Sequence, residues 1–193
     1  MSFKVMVTWN SKKIPYSKSQ LAKVSTGILA AMSDSLELQF WIKKMKARPS
    51  SLNLFLTDDL EIRKLNREFR KLDRATDVLS FPTLELALNE VEIQRGSLGD
   101  LVMSEAALWR GAQKMTHSYE EEFLEVYIHG FLHLLGFDHV SSKPRAKRMF
   151  EVQGELFSWA KSTIKVSHGK HSNRRRSTPS KLPRIKRKIK KSL

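Results

Sequence analysis

The stretch from Phe123 to Leu135 constrains this chain more than any other, because it is almost continuously apolar and still carries two histidines. Phe123, Leu124, Val126, Tyr127, Ile128, Phe131, Leu132, Leu134 and Leu135 leave hardly any polar face on a 3.6-residue period. A helix of that kind has to be surrounded by the rest of the protein, so the fold must be built around it. His129 and His133 lie four apart and stack on one side of that helix. A buried imidazole needs a polar partner, and a shared metal ion serves several imidazoles at once.

His139 follows beyond Gly136, a residue placed where helices commonly end in a left-handed conformation that lets the chain turn back. His129, His133 and His139, half of the six histidines, are therefore candidate ligands of one ion. The chain has no cysteine, which excludes a thiolate cage. Three neutral imidazoles with a fourth position open to water form the pattern of catalytic zinc, one Zn2+ per chain, and a hydrolase is the leading expectation. Zinc proteases with this helix place a glutamate directly after the first histidine as general base. Here that residue is Gly130, although the histidine separations and Gly136 follow the metzincin pattern. A metalloprotease, its base supplied from elsewhere, thus stands as the alternative. A non-catalytic assembly factor with a structural metal is a third reading, opposed by the lack of a fourth protein ligand.

A length of 193 residues with 40% apolar content suits one domain with a substantial core. Charge divides the chain. No acidic residue follows Glu155, whereas thirteen of the 35 lysines and arginines lie between Lys161 and Lys191, so the net charge of +15 belongs mostly to the C-terminal end. The expected organisation is a single metallohydrolase domain over 1–160 and a basic tail over 161–193. The tail, with Arg174, Arg175, Arg176 and the run from Lys186 to Lys191, cannot bury enough apolar surface to order itself, and it is expected to be a flexible polycation. No run approaches eighteen apolar residues and the N-terminus lacks the apolar block of a secretory signal, so a cytoplasmic location with no membrane partner is expected.

Local signals outline the elements. Phe3, Val5, Val7 and Trp9 alternate as a strand, and 18–31 reads as an amphipathic helix. Leu52 to Leu56 forms a second strand, followed by a helix to about Phe69 that Asp58 and Glu61 start as a capping box. Thr76 to Phe81 is extended and stopped by Pro82; Gly99 to Met103 is a further strand, with 83–98 a loop or hairpin between them. Helices follow from Ser104, from the capping box of Ser118 and Glu121, and from near Pro144 to Ala160. Strands come early and helices late, which predicts an α+β fold with a small mixed β-sheet packed with helices, the three-histidine zinc site lying on a buried helix and the turn after it.

The motifs resemble those of one family. His129-Gly130 through His133, Gly136, Asp138 and His139 are similar to the signature of the YbeY endoribonucleases and ribosomal RNA maturation factors. Leu65-Asn66 with Phe69-Arg70, the run Thr76 to Pro82, Leu98-Gly99-Asp100 leading to Ser104, and His117-Ser118 with Glu120 and Glu122 agree with it; Glu121 stands where an arginine is common. The resemblance spans about residues 50 to 155 and leaves the basic tail outside. It implies a zinc-dependent endonuclease specific for single-stranded RNA, acting in 3′ end maturation of small-subunit ribosomal RNA and in ribosome quality control. Its implied partners are ribosomal RNA and the small ribosomal subunit, with no DNA expected.

The resemblance also makes Arg70 a catalytic candidate, a guanidinium that can fork onto phosphate oxygens and stabilise charge developing in the transition state. Asp138, beside the third histidine, is either a general base or an acceptor that orients a histidine. Asp77 and Asp100 carry the same ambiguity, since either can instead cap a turn.

Overall fold

The apolar helix does stand at the centre of the molecule. The computed structural model describes residues 5–35, 51–83, 96–137 and 142–164. The elements run β1 (Met6–Trp9), α1 (Lys18–Ala31), β2 (Ser51–Thr57), α2 (Asp59–Arg70), β3 (Val78–Pro82), β4 (Ser97–Ser104), α3 (Glu105–Met115), α4 (Tyr119–Leu134) and α5 (Lys143–Thr163). The last helix thus continues past 160, and Ile164, its C-cap, is buried. The fold is α+β, with the strands in the order β1-β2-β4-β3. β1, β2 and β4 run parallel, while β3 returns antiparallel beside β4 with Pro82 opposite Gly99.

Side-chain alternation gives the sheet two unlike faces. Leu52, Leu54, Leu56, Leu101, Met103 and Val78 point to one side, into a large core with α1, α4 and α5. Leu79 and Val102 point to the other and, among the described residues, meet only Ile62 of α2 as a buried partner, with Leu65, Ala75 and Phe81 around them. Farther along that second face a polar ladder crosses three strands. Thr8 Oγ1 donates to Asn53 Oδ1 (2.6 Å), and Asn53 Nδ2 donates to Asp100 Oδ1 (2.8 Å). Asp100 therefore holds strands together.

Caps set the helix ends where local spacing predicts them. Ser118 Oγ accepts from Glu121 N and Glu121 returns a bond to Ser118 N, which completes a capping box at the start of α4. Ser17 and Gln20 do the same for α1. At α2 only half of the expected box forms: Asp58 Oδ1 accepts from Glu61 N (2.8 Å), but the Glu61 carboxylate takes Lys64 Nζ (3.1 Å) instead. Asp77 caps locally too, accepting from Val78 N (2.8 Å) and Thr76 Oγ1 (3.0 Å).

One polar joint lies inside the main core. Ser25 Oγ donates to Leu21 O (2.8 Å) within α1, so the Tyr127 hydroxyl of α4 must donate to Ser25 (2.6 Å). Burial pushes the Tyr127 phenol well above its ordinary pKa, which keeps that proton in place.

Candidate metal centre

Helix α4 presents its imidazoles at the far end from its cap. Its first turn is pinned by the Tyr16 hydroxyl, which donates to Glu120 O (2.8 Å), and by Trp109 stacked on Tyr119. Near the other end, Gly130 wedges against the sheet. A Cβ there would lie 3.0 Å from Leu101 Cδ2 and from Val78 Cγ2, and Ser80 Oγ donates to its carbonyl (3.0 Å). Position 130 thus faces the strands, so it has no room for the glutamate that a zinc protease keeps there.

His129 and His133, both half-buried, turn their Nε2 atoms toward each other at 3.2 Å, with ring planes 79° apart. Two ligands of a tetrahedral ion at bond lengths of about 2.0–2.1 Å sit about 3.3 Å apart, so this pair fits one metal without rearrangement. The other nitrogen of His129 is engaged: Nδ1 lies 2.8 Å from Gln153 Oε1 on α5, and Gln153 Nε2 lies 3.5 Å from Glu125 Oε1. Phe150 of α5 stacks beside the His129 ring.

The helix ends as the glycine predicts. Gly136 adopts φ 85°, its N–H donates to His133 O (2.9 Å), and Phe137 N–H donates to Leu132 O (3.0 Å). These two bonds make a Schellman turn, and the buried Phe137 holds the returning chain against the core. His139 and Asp138 follow immediately and lie outside the described residues.

A second group sits nearer the start of α4. The donor atoms of His117, Glu122 and Glu125 lie within 4.8 Å of one another, and this group can also hold a metal ion. His117 Nε2 is 2.5 Å from Glu122 Oε2, with both side chains mostly buried. Gly111 makes the space, since a Cβ there would meet Glu122 Oε1 at 2.0 Å.

Arg70 ends α2, exposed, and among the described residues no carboxylate pairs with it. Its neighbours are spent. Arg63 forks onto Asp73 with two bonds of 2.8 Å, and Arg67 lies 3.9 Å from the same carboxylate. Asn66, buried, donates from Nδ2 to Arg74 O (2.8 Å) and accepts at its carbonyl from Leu72 N (3.2 Å), tying the following loop to the helix. Phe69 meets Phe81 of β3 edge-on at 5.1 Å. On β3, Phe81 therefore faces α2, the helix that Arg70 ends, and Ser80 faces α4, the helix that carries the histidine pair.

A sequence profile of the family described as Endoribonuclease YbeY matches residues 6–161. The chain is 41% identical over 107 residues to Endoribonuclease YbeY of Aquifex aeolicus, covering 55% of this chain and 68% of that protein. It is 43% identical over 107 residues to the Clostridioides difficile protein of the same name, covering 55% and 69%. The solution structure of TM1509 from Thermotoga maritima aligns with 88% of this chain and 99% of that one at 25% identity, with a TM-score of 0.49. The chain belongs to the YbeY endoribonuclease family.

Sequence reasoning did not assign Gln153 or Glu125, took His117 and Glu122 only as part of a motif, and read Gly130 only as a missing glutamate. Gly130 carried a signal in its place between the helix histidines. Gln153 carried none, because 24 residues separate it from the imidazole it meets.

Proposed function

We propose that this protein is a zinc-dependent endoribonuclease for single-stranded RNA, acting in 3′ end maturation of small-subunit ribosomal RNA and in quality control of the small ribosomal subunit. The observation that carries the metal reading is the 3.2 Å approach of His129 Nε2 and His133 Nε2 on a helix whose other faces are committed to packing. His139, two residues past the Schellman turn, is the third ligand in this reading. Zinc bound there would supply a Lewis acid for a phosphoryl oxygen and a water of lowered pKa.

The chain's own residues do the rest. Arg70 donates its guanidinium fork to phosphate oxygens across the rim of β3 and offsets the negative charge that grows as the phosphodiester is attacked. Asp138 either accepts the proton of the attacking water or holds a histidine ring by hydrogen bond. The protease alternative lacks support at its critical position, since residue 130 faces Leu101 and Val78.

Full-length protein incubated with single-stranded RNA and, separately, with casein, each with and without chelator, tests the activity. RNA should be cut only without chelator and casein not at all; chelator-resistant RNA cleavage would overturn the metal reading. Elemental analysis should give about one metal per chain, falling sharply in His133→Ala. Full occupancy in that variant would remove the ligand assignment.

A further inference from the structure

A neutral imidazole binds a metal through the nitrogen that carries no proton, so a ligand histidine must be held in one of its two tautomers. For His129 the nitrogen facing His133 is Nε2, and the proton must therefore sit on Nδ1. Gln153 Oε1, 2.8 Å from Nδ1, can only accept, and it demands that proton. An amide side chain, however, can flip and present its NH2 instead, which would demand the opposite tautomer.

Glu125 decides between the two. Its carboxylate oxygen Oε1 accepts from the Gln153 amide. It lies 3.5 Å from the other end of the Gln153 amide, so Nε2 must point toward Glu125 and Oε1 toward His129. A flipped amide would set its oxygen against the carboxylate and its NH2 against Nδ1–H, losing both bonds at once. Gln153 is only 9% exposed, so water cannot cheaply make good the loss. Helical spacing explains the convergence: Glu125 and His129 are four apart on α4, and α5 packs alongside to put Gln153 between them.

We propose that Gln153, oriented by Glu125, is a positioning residue that fixes His129 as its Nδ1–H tautomer and so leaves Nε2 ready for a metal ion. The inference rests on the reading of His129 as a ligand, but the tautomer exists without metal and can be observed separately.

The test uses full-length protein in three forms: the parent, Gln153→Met, which keeps length and apolar bulk but makes no amide bonds, and the swap Glu125→Gln with Gln153→Glu. In the swap a carboxylate at 153 accepts from His129 Nδ1–H and from the new amide at 125, so the relay is restored with its chemistry reversed. Long-range proton–nitrogen NMR correlations on metal-free protein, at a pH where the ring is neutral, report which nitrogen carries the proton. Competition with a zinc chelator reports affinity. The parent should show His129 protonated on Nδ1. Gln153→Met should lose that preference and bind zinc about 10-fold to 100-fold more weakly, and the swap should recover both. Parental tautomer and affinity in Gln153→Met would overturn the inference, as would a folded swap variant that behaves like Gln153→Met. A parent that binds no zinc yet shows the Nδ1–H tautomer and its loss in Gln153→Met would defeat the metal reading and leave the relay standing.

Discussion

The two faces of the sheet hold their helices by different physics. On one face α4 is buried on nearly every side, with Phe123, Tyr127, Phe131 and Leu132 fully enclosed. On the other, α2 contributes Ile62 as its only fully buried apolar side chain and is held chiefly by polar ties at both ends. At its start Asp59 accepts from Ser104 Oγ (2.6 Å) and from the Arg110 fork; at its end Arg63 grips Asp73 and Asn66 grips Arg74. The histidine pair thus rides on a rigid, water-excluded element, whereas Arg70 rides on one whose attachment depends on charge. A metal site gains from the first arrangement because its ligands must not wander. The phosphate-gripping role proposed for Arg70 suits the second, because a solvent-facing guanidinium can meet a substrate arriving from water.

The contrast breaks most visibly in core truncations. Phe131→Ala should cost about 3–5 kcal/mol in denaturant unfolding, while Ile62→Ala should fall near the lower end of its ~2–5 kcal/mol range because the rim of the thin face can collapse. Equal costs would mean that α2 is as deeply anchored as α4. Arg70→Ala separates chemistry from folding: RNA cleavage should drop about 100-fold to 1,000-fold with the melting temperature and metal content unchanged. Cleavage within twofold of the parent would refute the role proposed for Arg70.

The smallest effect is the most discriminating, because it asks which face lets go in acid. Hydrogen bonds from Arg110 and Ser104 hold the Asp59 carboxyl below its ordinary pKa, and the Arg63 bond does the same for Asp73. A carboxylate with a depressed folded pKa lends stability that is complete above its unfolded value and fades as pH falls through the folded one. Amide exchange in α2 should therefore quicken relative to α4 as the solution is taken from neutrality to about pH 3, and added salt near ~1 M should act in the same direction. Parallel loss of protection in both helices would erase the distinction.

What could be read in the sequence was whatever depends on neighbours within a turn or two. The limits of α1, the Ser118 box and the Gly136 reversal all follow from side chains three or four residues apart. Spacing also paired His129 with His133. The Asp58 box failed in its second half because Lys64, equally close, competes for Glu61. Asp77 and Asp100, ambiguous in the sequence, turn out to bind a local turn and a cross-strand amide. Contacts between distant segments left no local trace: Gln153 meets His129 only because α5 lies beside α4, and the thinness of the α2 face shows only once the sheet is assembled. His139 and Asp138 fall outside the described residues, so their roles rest on the proposed function.

The hydroxyl pair of Ser25 and Tyr127 has a mechanical consequence. Two helices joined only by aliphatic side chains can slip by one turn, about 5.4 Å, and find another tolerable interlock. Here such a slip would strand the Tyr127 hydroxyl in hydrocarbon at about 1–3 kcal/mol, while Ser25 keeps its bond to Leu21 O. The pair works as a key in a shaft: it adds little to the strength of the joint but allows α1 and α4 a single axial setting. Everything carried on α4, the imidazoles two and six residues along included, inherits that setting.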